Sequence, residues 1–351
     1  MSISSYGGST FRIEFGVPTK NKPKFRRALN IIRAFFTRVA LMLFKNLVFH
    51  RLPAEWTSAA ADLESRLAGR TLQPCAPFEM SSRGWVPVTS GGRLLHTVNQ
   101  QHMIALGDNQ KLLPGSIIRQ VAQERADIQA EEQGFPVGRK QMRDLRARVA
   151  DELRARALTR RRVTRAWIDP QGGWFAVDAA GISRAETVVE TLGDTLGSFA
   201  PLAIETERSP HAAMTSWLLR GEAPARFSID DDLELQTSDK SKTIIRYTRH
   251  PLDGKEIHTH LASGKYPTRL GLTWNDRVSF VLTDKLQVKR LEFLEMTKEP
   301  AAGDDIDPAE QFDIDFAVMA GELASLLKDL WHALGKESAV AADWPARSKV
   351  A

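Results

Sequence analysis

The sequence contains a single cysteine and no long hydrophobic segment. Because Cys75 is the only cysteine among 351 residues, the chain can form neither an intrachain disulfide bond nor a zinc site with several cysteine ligands. The longest purely apolar run, residues 39–44, is far shorter than the roughly 20 residues that a membrane-spanning helix needs. These two absences predict a cytoplasmic protein without a membrane-spanning segment.

Several catalytic motifs are also absent. The chain has no GxxxxGK[ST] phosphate loop, no HExxH and no GxSxG sequence. Its nearest approach to a phosphate loop, Ser263-Gly264-Lys265, continues with Tyr266 and has no glycine-rich stretch before it. Such a loop needs closely spaced glycines to bring backbone N–H groups to a phosphate, so a nucleotide-hydrolysing motor is disfavoured. We predict a protein that is not an enzyme and carries no cofactor.

Positive charge is abundant and is concentrated in residues 138–165. The whole chain has 48 basic and 43 acidic residues, a net charge of +5, whereas this segment alone has 11 basic and 3 acidic residues and a net charge of +8. Residues 1–41 contribute a further +7, which leaves −10 for the rest of the chain. Because three acids can neutralise at most three of the 11 cations, the segment indicates a polyanionic partner such as the phosphate backbone of DNA.

Helical periodicity predicts that this basic segment forms half of a two-helix arm. At 100° per residue, four arginines share one narrow sector, beside an apolar stripe of Met142, Leu145, Val149 and Leu153. A second helix is predicted over residues 116–133, and the sequence EQGFPVG separates the two helices with a Gly/Pro break. The predicted DNA contacts of the arm and its base are Arg119, Arg125, Arg139, Lys140, Arg143, Arg146, Arg154, Arg160, Arg161, Arg162 and Arg165.

An ordinary solvated helix is the alternative interpretation of the arm. Arginine is a good helix former, and Asp144, Asp151 and Glu152 are close enough in sequence to pair with it. Phe135 is the only aromatic residue of the arm and lies at its predicted tip. Because single-stranded nucleic acids are usually bound by stacking on several aromatic rings, the arm favours duplex DNA over a single strand.

Outside the arm, the pattern predicts short helices and antiparallel strands. In the first part these are a strand over residues 43–51, a helix over 58–67, a hairpin over 167–177, a helix from a Ser183/Glu186 capping box to Gly197 and a helix from Ser209-Pro210 to Gly221. Alternation over residues 243–293 predicts an antiparallel meander in which Ile257, Thr259 and Leu261 share one strand face. A long helix is predicted from Asp307 to Gly335, with an apolar stripe that includes Phe316, Leu323 and Leu330.

Two groups of potential metal ligands define an alternative with catalytic chemistry. In the predicted meander His258 and His260 lie two apart on one strand face, with His250 upstream, but the sequence offers them no further ligand at a suitable spacing. The acids before and within the last helix are Asp304, Asp305, Asp307, Asp313 and Asp315. Because paired carboxylates can hold two divalent cations, a metal-dependent nuclease is the alternative function, although Asp307 also fits a helix cap.

Seven stretches between Met42 and Gly335 carry a resemblance to a known family. They are MLFKNLVFHRL, GWVPV, KLLPGSIIRQ, WIDPQGGWFAVDAAGISRAETVVETLGDTLGS, HTHLASGKYPTRLGLTWNDRVSFVL, KRLEFLE and FDIDFAVMAGELASLLKDL. In order and spacing, the chain resembles the recombination-associated protein RdgC family. None of the seven is a catalytic motif. The family's start coincides with Met42, so we expect residues 1–41 to be a disordered extension or a gene-model artefact, with a membrane-surface helix over 25–43 as a weaker option.

The resemblance implies an assembly and a function. It implies two horseshoe-shaped α+β protomers in a closed ring dimer, which encircles duplex DNA without sequence preference and antagonises RecA. The family's projecting finger corresponds to residues 116–165. Its usual Arg-Ala-Phe triplet at the ring closure is Arg156-Ala157-Leu158 here, so an aliphatic side chain replaces the aromatic one. We assign Leu158 and Phe135 to the dimer interface, and Arg249 and His250 to a second DNA contact.

These observations predict an α+β fold with antiparallel sheets, a helical arm and a long C-terminal helix. We expect a basic extension (1–41), an N-terminal α+β region (42–115), the arm (116–165), a second α+β region (166–235), a β-meander (236–298), an acidic linker with the last helix (299–335) and a tail (336–351). The expected partners are duplex DNA and a second copy of the chain, with RecA as an antagonised protein, no membrane and a nucleoid-associated location.

Overall fold

The computed structural model describes residues 44–53, 56, 60–89, 91–224, 226–294 and 307–335. The predicted extension over 1–41, with the membrane-surface helix considered there, lies outside these residues. So do residues 299–306 of the predicted acidic linker, including Asp304 and Asp305, and the tail over 336–351.

The described residues form seven helices and eleven strands in an α+β arrangement. In chain order the elements are β1 (Val48–Arg51), α1 (Ala60–Ala68), β2 (Ser81–Trp85), β3 (Leu95–Val98), β4 (Gln101–Lys111), α2 (Gly115–Gln133), α3 (Arg139–Arg156), β5 (Thr159–Asp169), β6 (Trp174–Val177), α4 (Ile182–Leu196), α5 (Pro210–Arg220), β7 (Phe227–Thr237), β8 (Ile244–Tyr247), α6 (Lys255–Ala262), β9 (Lys265–Trp274), β10 (Val278–Thr283), β11 (Val288–Phe293) and α7 (Pro308–Ala333). This confirms the predicted α+β class and the C-terminal helix, while the horseshoe shape and the ring stay predictions.

The strands form two antiparallel sheets. The first has the order β1-β6-β5-β4-β2, with β3 also paired to β4, and the second has the order β11-β10-β9-β7-β8. The sheets are joined where Leu47, just before β1, exchanges two backbone hydrogen bonds of 2.8 and 3.1 Å with Val288 of β11. The predicted hairpin over residues 167–177 is confirmed, since Trp167 pairs with Ala176 across β5 and β6.

One face of the first sheet is covered by α1 and α4. Side chains alternate between the two faces along each strand, so Ile104 and Leu106 of β4 point to the same side and bury against these helices. Ala185, Val188 and Leu192 form the matching stripe of α4. The first half of β5 is largely exposed, whereas its second half is buried.

The helix α7 lies between the two sheets. Most of the side chains predicted to form its apolar stripe are buried, among them Phe316, Leu323 and Leu330, while Phe312 is partly buried. On one side the ring of Trp331 meets that of Trp174 of the first sheet at 6.1 Å. On the other side Trp274 of the second sheet donates a 2.9 Å hydrogen bond from its indole N–H to Asp329. The predicted amphipathic helix is therefore confirmed, and its apolar stripe is satisfied within one chain.

Two predicted local features are wrong. Residues 255–262 form the helix α6, not a strand, because Ile257 and Leu261 are four residues apart and fit a helical face as well as an alternating one. The helix α4 begins after Gly181, without a side-chain cap, so Ser183 lies within the first turn and forms no capping box with Glu186. The predicted helix ends at Gly197 and Gly221 are confirmed, since both glycines have the left-handed backbone of a helix C-terminus.

Candidate nucleic-acid interface

The basic segment and the helix before it form a two-helix arm between β4 and β5. The helices α2 and α3 pack on each other through a small core of Ala122, Ala126, Leu145 and Val149. Gly134, with a φ of 76°, ends α2 and lets the chain turn into α3. The antiparallel strands β4 and β5 pair from His102–Ile168 up to Lys111–Thr159. The arm is therefore inserted where this pair of strands ends. The predicted helical hairpin is confirmed.

Most of the arm's predicted cations are exposed. Arg119, Arg139, Lys140 and Arg146 are exposed and have no ion-pair partner among the described residues. The Arg143 side chain is 79% exposed, and its only acidic neighbour there is Asp144, at a long 3.9 Å. These five groups therefore keep their hydration and their full charge, the state from which a phosphate can recruit them.

Two predicted arm residues have acidic partners. Arg125 of α2 pairs with Glu152 of α3 at 2.8 Å, and Arg154 pairs with Asp151 at 2.9 Å. The Arg154 side chain is only 26% exposed, and its Nε is buried without a hydrogen-bond partner in the described part of the chain. Exposed ion pairs contribute about 0–1 kcal/mol, so the Arg125 pair can exchange for a phosphate at little cost. Arg154 is the less accessible of the two.

The four arginines at the base of the arm do not share one surface. They lie in β5, where side chains alternate, so Arg160 and Arg162 point to the face covered by α4, and Arg161 and Arg165 point to the other. Arg161 donates a 3.2 Å hydrogen bond from Nε to Asn109 Oδ1. The predicted DNA contacts at the base of the arm are therefore divided between the two faces of the sheet.

Arg165 is the most enclosed of these four arginines. Burial lowers the pKa of Arg165 from its usual value, and the charge of nearby Asp178 opposes this shift. Burial raises the pKa of Asp178, whose carboxylate accepts hydrogen bonds from the backbone N–H groups of Lys45 and Asn46 at 3.1 and 3.0 Å. Arg165 thus faces a carboxylate that also holds the chain entering the first sheet.

The predicted second contact lies on the other sheet. Arg249 and His250 follow β8, and both are exposed. Arg249 has a positive φ of 53°, and its backbone N–H donates to Asp232 Oδ1 at 3.2 Å. His250 lies beside Tyr247, with ring centroids 5.4 Å apart. The structure therefore presents this pair on an edge of the second sheet, apart from the sheet that carries the arm.

The two side chains assigned to a dimer interface are both exposed. Phe135, at the turn of the arm, is 58% exposed, and Leu158, at its base, is 78% exposed. The backbone carbonyl of Leu158 accepts a hydrogen bond from the backbone N–H of Leu112. The backbone N–H of Lys111, the residue before Leu112, donates to the carbonyl of Met80. Phe78 is 74% exposed close by in sequence. We call Phe78, Met80, Leu112 and Leu158 the apolar base patch.

Sequence reasoning missed several cations. Arg148 and Arg156 of α3 are exposed but fall outside the narrow helical sector on which the prediction relied. Arg83 of β2 and Arg184 of α4 line a cavity together with Arg162. No local pattern could have indicated this group, because its members come from three separate segments of the chain.

The predicted metal ligands are not brought together. His258 and His260 lie on α6, where residues two apart point to nearly opposite sides, so the expected shared strand face is wrong. Asp307 accepts a hydrogen bond from the backbone of Ala309 as a helix cap, and Asp313 lies 3.3 Å from His96 Nε2. The described ranges contain no group of three or more His, Cys, Asp or Glu residues that could hold a metal ion.

Comparison with known proteins identifies the family. A family model described as "Putative exonuclease, RdgC" matches residues 42–337. The chain belongs to the RdgC family. It is 46% identical over 299 residues to the recombination-associated protein RdgC of Dechloromonas aromatica, which covers 84% of this chain and 98% of that protein. The proteins of the same name from Cupriavidus pinatubonensis and Burkholderia ambifaria are 45% and 43% identical over 296 and 294 residues, covering 84% of this chain and 99% and 96% of theirs.

The RdgC match spans both sheets, the arm and α7, and residues 1–41 lie outside it. The curated RdgC relatives are named for recombination, and their names indicate no catalysis. None of the helices within the described ranges is long and apolar enough to cross a membrane.

Proposed function

We propose that this RdgC-family chain binds duplex DNA without sequence preference as a homodimer, and thereby limits recombination promoted by RecA. The observation that carries the proposal is the set of exposed cations on the two-helix arm, most of which have no ion-pair partner among the described residues. A phosphate backbone has regularly spaced negative charge, and cations that neutralise it gain affinity by releasing condensed counterions. Such contacts position a protein on DNA but do not distinguish bases.

The side chains of the arm favour a duplex ligand. The exposed charged residues of α3 are mostly basic, whereas α2 also exposes four acids, Glu124, Asp127, Glu131 and Glu132. Phe135 at the turn is the only aromatic residue of the arm. Single-strand binding proteins usually stack several bases on aromatic rings, and the arm offers one ring at most. Exposed guanidinium groups on a rigid helix instead suit the evenly spaced phosphates of a double helix.

The apolar base patch supports the homodimer. Phe78 and Leu158 are large apolar side chains with most of their surface in contact with water. Burying each such side chain against a second copy stabilises the dimer by roughly 1.5–3 kcal/mol. A dimer that meets at the bases of two arms brings two sets of cations to one DNA segment. Two such protomers closed around DNA would occupy the duplex that a RecA filament needs, which gives the proposed antagonism.

The salt dependence of DNA binding tests this function. If each protomer contacts about four phosphates, a plot of log K against log salt concentration has a slope near −7 for the dimer. Replacing Arg143 and Arg146 by Ala makes the slope shallower by roughly one unit for each phosphate that the variant no longer neutralises. The matched control is Arg208→Ala with Arg220→Ala, two exposed arginines outside the arm. An unchanged slope in the Arg143/Arg146 variant means that the arm is ordinary solvated surface.

The proposed ring is tested separately by DNA topology. A closed ring leaves linear duplex by sliding off its ends but stays on a closed circle of the same sequence. We expect complexes with circular DNA to survive a high-salt challenge longer than complexes with blunt linear DNA. Equal lifetimes on both would exclude encirclement. In the same samples, DNA that stays intact after addition of Mg²⁺ or Mn²⁺ agrees with binding alone, whereas nicking would revive the nuclease alternative.

A further inference from the structure

A cavity beside the base of the arm gathers three arginines that the proposed arm surface does not explain. It has a volume of about 510 Å³ and is lined by Arg83 of β2, Arg162 of β5 and Arg184 of α4, with Asp108 of β4 among them. The paired strands place Arg83 opposite Asp108 and Asp108 opposite Arg162 on one row across the sheet. Arg184 reaches the same cavity from the first turn of α4.

The charges that line this cavity are not balanced by one another. Three guanidinium groups face one carboxylate, and within the described residues none of the four side chains has a hydrogen bond or an ion pair. Arg246 and Arg290, on the second sheet, in contrast pair with carboxylates at 2.7 Å. Like charges that share one concave site repel each other and are stabilised when an anion binds among them.

The start of α4 adds hydrogen-bond donors to the same cavity. Gly181 is the N-cap, and no side chain caps the helix. The backbone N–H groups of Ile182, Ser183 and Arg184 donate no hydrogen bond to any described residue. The first N–H groups of a helix carry partial positive charge and are a common place for a phosphate to bind. Ser183 and Thr187 also line the cavity and supply two hydroxyl groups.

We propose that this cavity binds a phosphate group, and that the phosphate belongs to the backbone of the DNA held by the arm. The assignment to DNA rests on the proposed function, whereas the preference for a phosphate follows from the cavity itself. A guanidinium group binds a phosphate through two parallel hydrogen bonds, and three of them exceed the single carboxylate by two charges. The cavity volume also leaves room for the sugar next to a bound phosphodiester.

The test removes the two arginines that lie outside the arm and its base. In the full-length chain, Arg83→Ala with Arg184→Ala should make the log K against log salt slope for duplex DNA shallower by about 0.9 for each phosphate that is no longer neutralised. Arg83→Lys with Arg184→Lys keeps the charges and should recover most of the slope. The Arg208→Ala/Arg220→Ala control removes the same charge from surfaces outside the cavity and should leave the slope unchanged.

The outcomes separate this inference from the proposed function. A wild-type chain that does not bind duplex DNA overturns the proposed function. A wild-type chain that binds, with an unchanged slope in the Arg83/Arg184 variant, overturns the cavity assignment alone. Calorimetric titration of inorganic pyrophosphate tests whether the cavity binds a free phosphate compound instead of DNA. If the Arg83/Arg184 variant loses pyrophosphate binding while its DNA binding is unchanged, the assignment to DNA is overturned. If the double variant fails to fold, Arg184→Ala alone, at an exposed helix position, gives the same comparison.

Discussion

The arginines of the arm and those of the second sheet differ in what lies beside them. In the second sheet, Arg246 pairs with Glu234 and Arg290 pairs with Asp232, both at 2.7 Å. Arg277 reaches Glu322 of α7 at the same distance. On the arm, Arg139 and Arg146 have no such partner in the part of the chain that the structure describes. The same residue type therefore stabilises the fold in one region and stays available for a ligand in the other.

The two regions also differ in how they are packed. The arm has a narrow core to which α2 contributes only alanines among its buried residues. The helix α7 buries large side chains such as Phe316 and Leu323 between two sheets. A region that carries many unpaired cations needs little buried surface if its task is to present charge, whereas a helix that joins two sheets needs much more.

The largest expected effect is on the packing of α7. Leu323→Ala or Leu326→Ala should lower the free energy of unfolding by roughly 2–5 kcal/mol, because each removes a fully buried side chain and leaves a cavity. Denaturant unfolding followed by circular dichroism measures the change. Val318→Ala, at an exposed position of the same helix, is the control and should change stability far less. Equal effects at the two kinds of position would mean that α7 is not packed between the sheets.

The next effect concerns the apolar base patch. Leu158→Asp should raise the dimer dissociation constant by about 100-fold, because two copies of a buried Leu, each contributing roughly 1.5 kcal/mol, are removed from a symmetric interface. Sedimentation equilibrium over a range of concentrations measures the constant. Leu219→Asp changes another exposed leucine, in α5 and outside the apolar base patch, and should leave the dimer intact. A dimer unaffected by Leu158→Asp would place the interface elsewhere.

A smaller effect concerns the pH dependence of stability, to which the buried and half-buried histidines of the first sheet should contribute more than the exposed histidines near the second sheet. Burial lowers the pKa of His50, His96 and His102 below the ordinary value of 6.5; for His96 the charge of Asp313 opposes this shift and that of Arg93 adds to it. The unfolded chain therefore binds protons more readily than the folded one just below pH 6.5. The contribution of these histidines to the free energy of unfolding is fully present above pH 6.5. It declines as the pH falls from 6.5 toward their lowered pKa values.

Urea unfolding at pH 7.5 and at successively lower pH checks this decline. The variant His96→Gln removes one titrating group next to Phe312 and Phe316 of α7, so its stability should depend less on pH in this range. His258→Gln, on the exposed surface of α6, is the control and should retain the wild-type dependence. A stability that rises on acidification below pH 6.5 would contradict the lowered pKa values.

The smallest effect tests the paired arginines. Burial favours the neutral form of Glu234, but hydrogen bonds from Arg246 and Thr268 and the charge of Arg269 lower its pKa overall. Arg246→Ala should therefore cost roughly 1 kcal/mol of stability or less, since the Arg246 side chain is mostly exposed and Thr268 and Arg269 remain. The slope of DNA binding against salt should not change. A slope that becomes shallower in the Arg246→Ala variant, as it should in the Arg143/Arg146 variant, would remove the distinction between the two regions.

Local patterns were sufficient for some elements and misleading for others. The arm and α7 were predictable because a helix of four or more turns repeats its apolar positions many times. The helix α6 was mistaken for a strand because eight residues with two apolar positions fit either period. The alternation that divides Arg160 and Arg162 from Arg161 and Arg165 became visible only once β5 was known to begin at Thr159.

The sequence by itself determined how much positive charge the chain carries, where it is concentrated, and that it is presented on a helical hairpin. Charge and helical periodicity are properties of neighbouring residues, so they can be recognised without a fold. Only the tertiary structure decided which cations are neutralised. An ion pair forms when two opposite charges come within about 4 Å of each other, and residues such as Asp232 and Arg290, which form one, lie far apart in sequence. For the same reason the cavity of Arg83, Arg162 and Arg184 exists only after three distant segments have folded together.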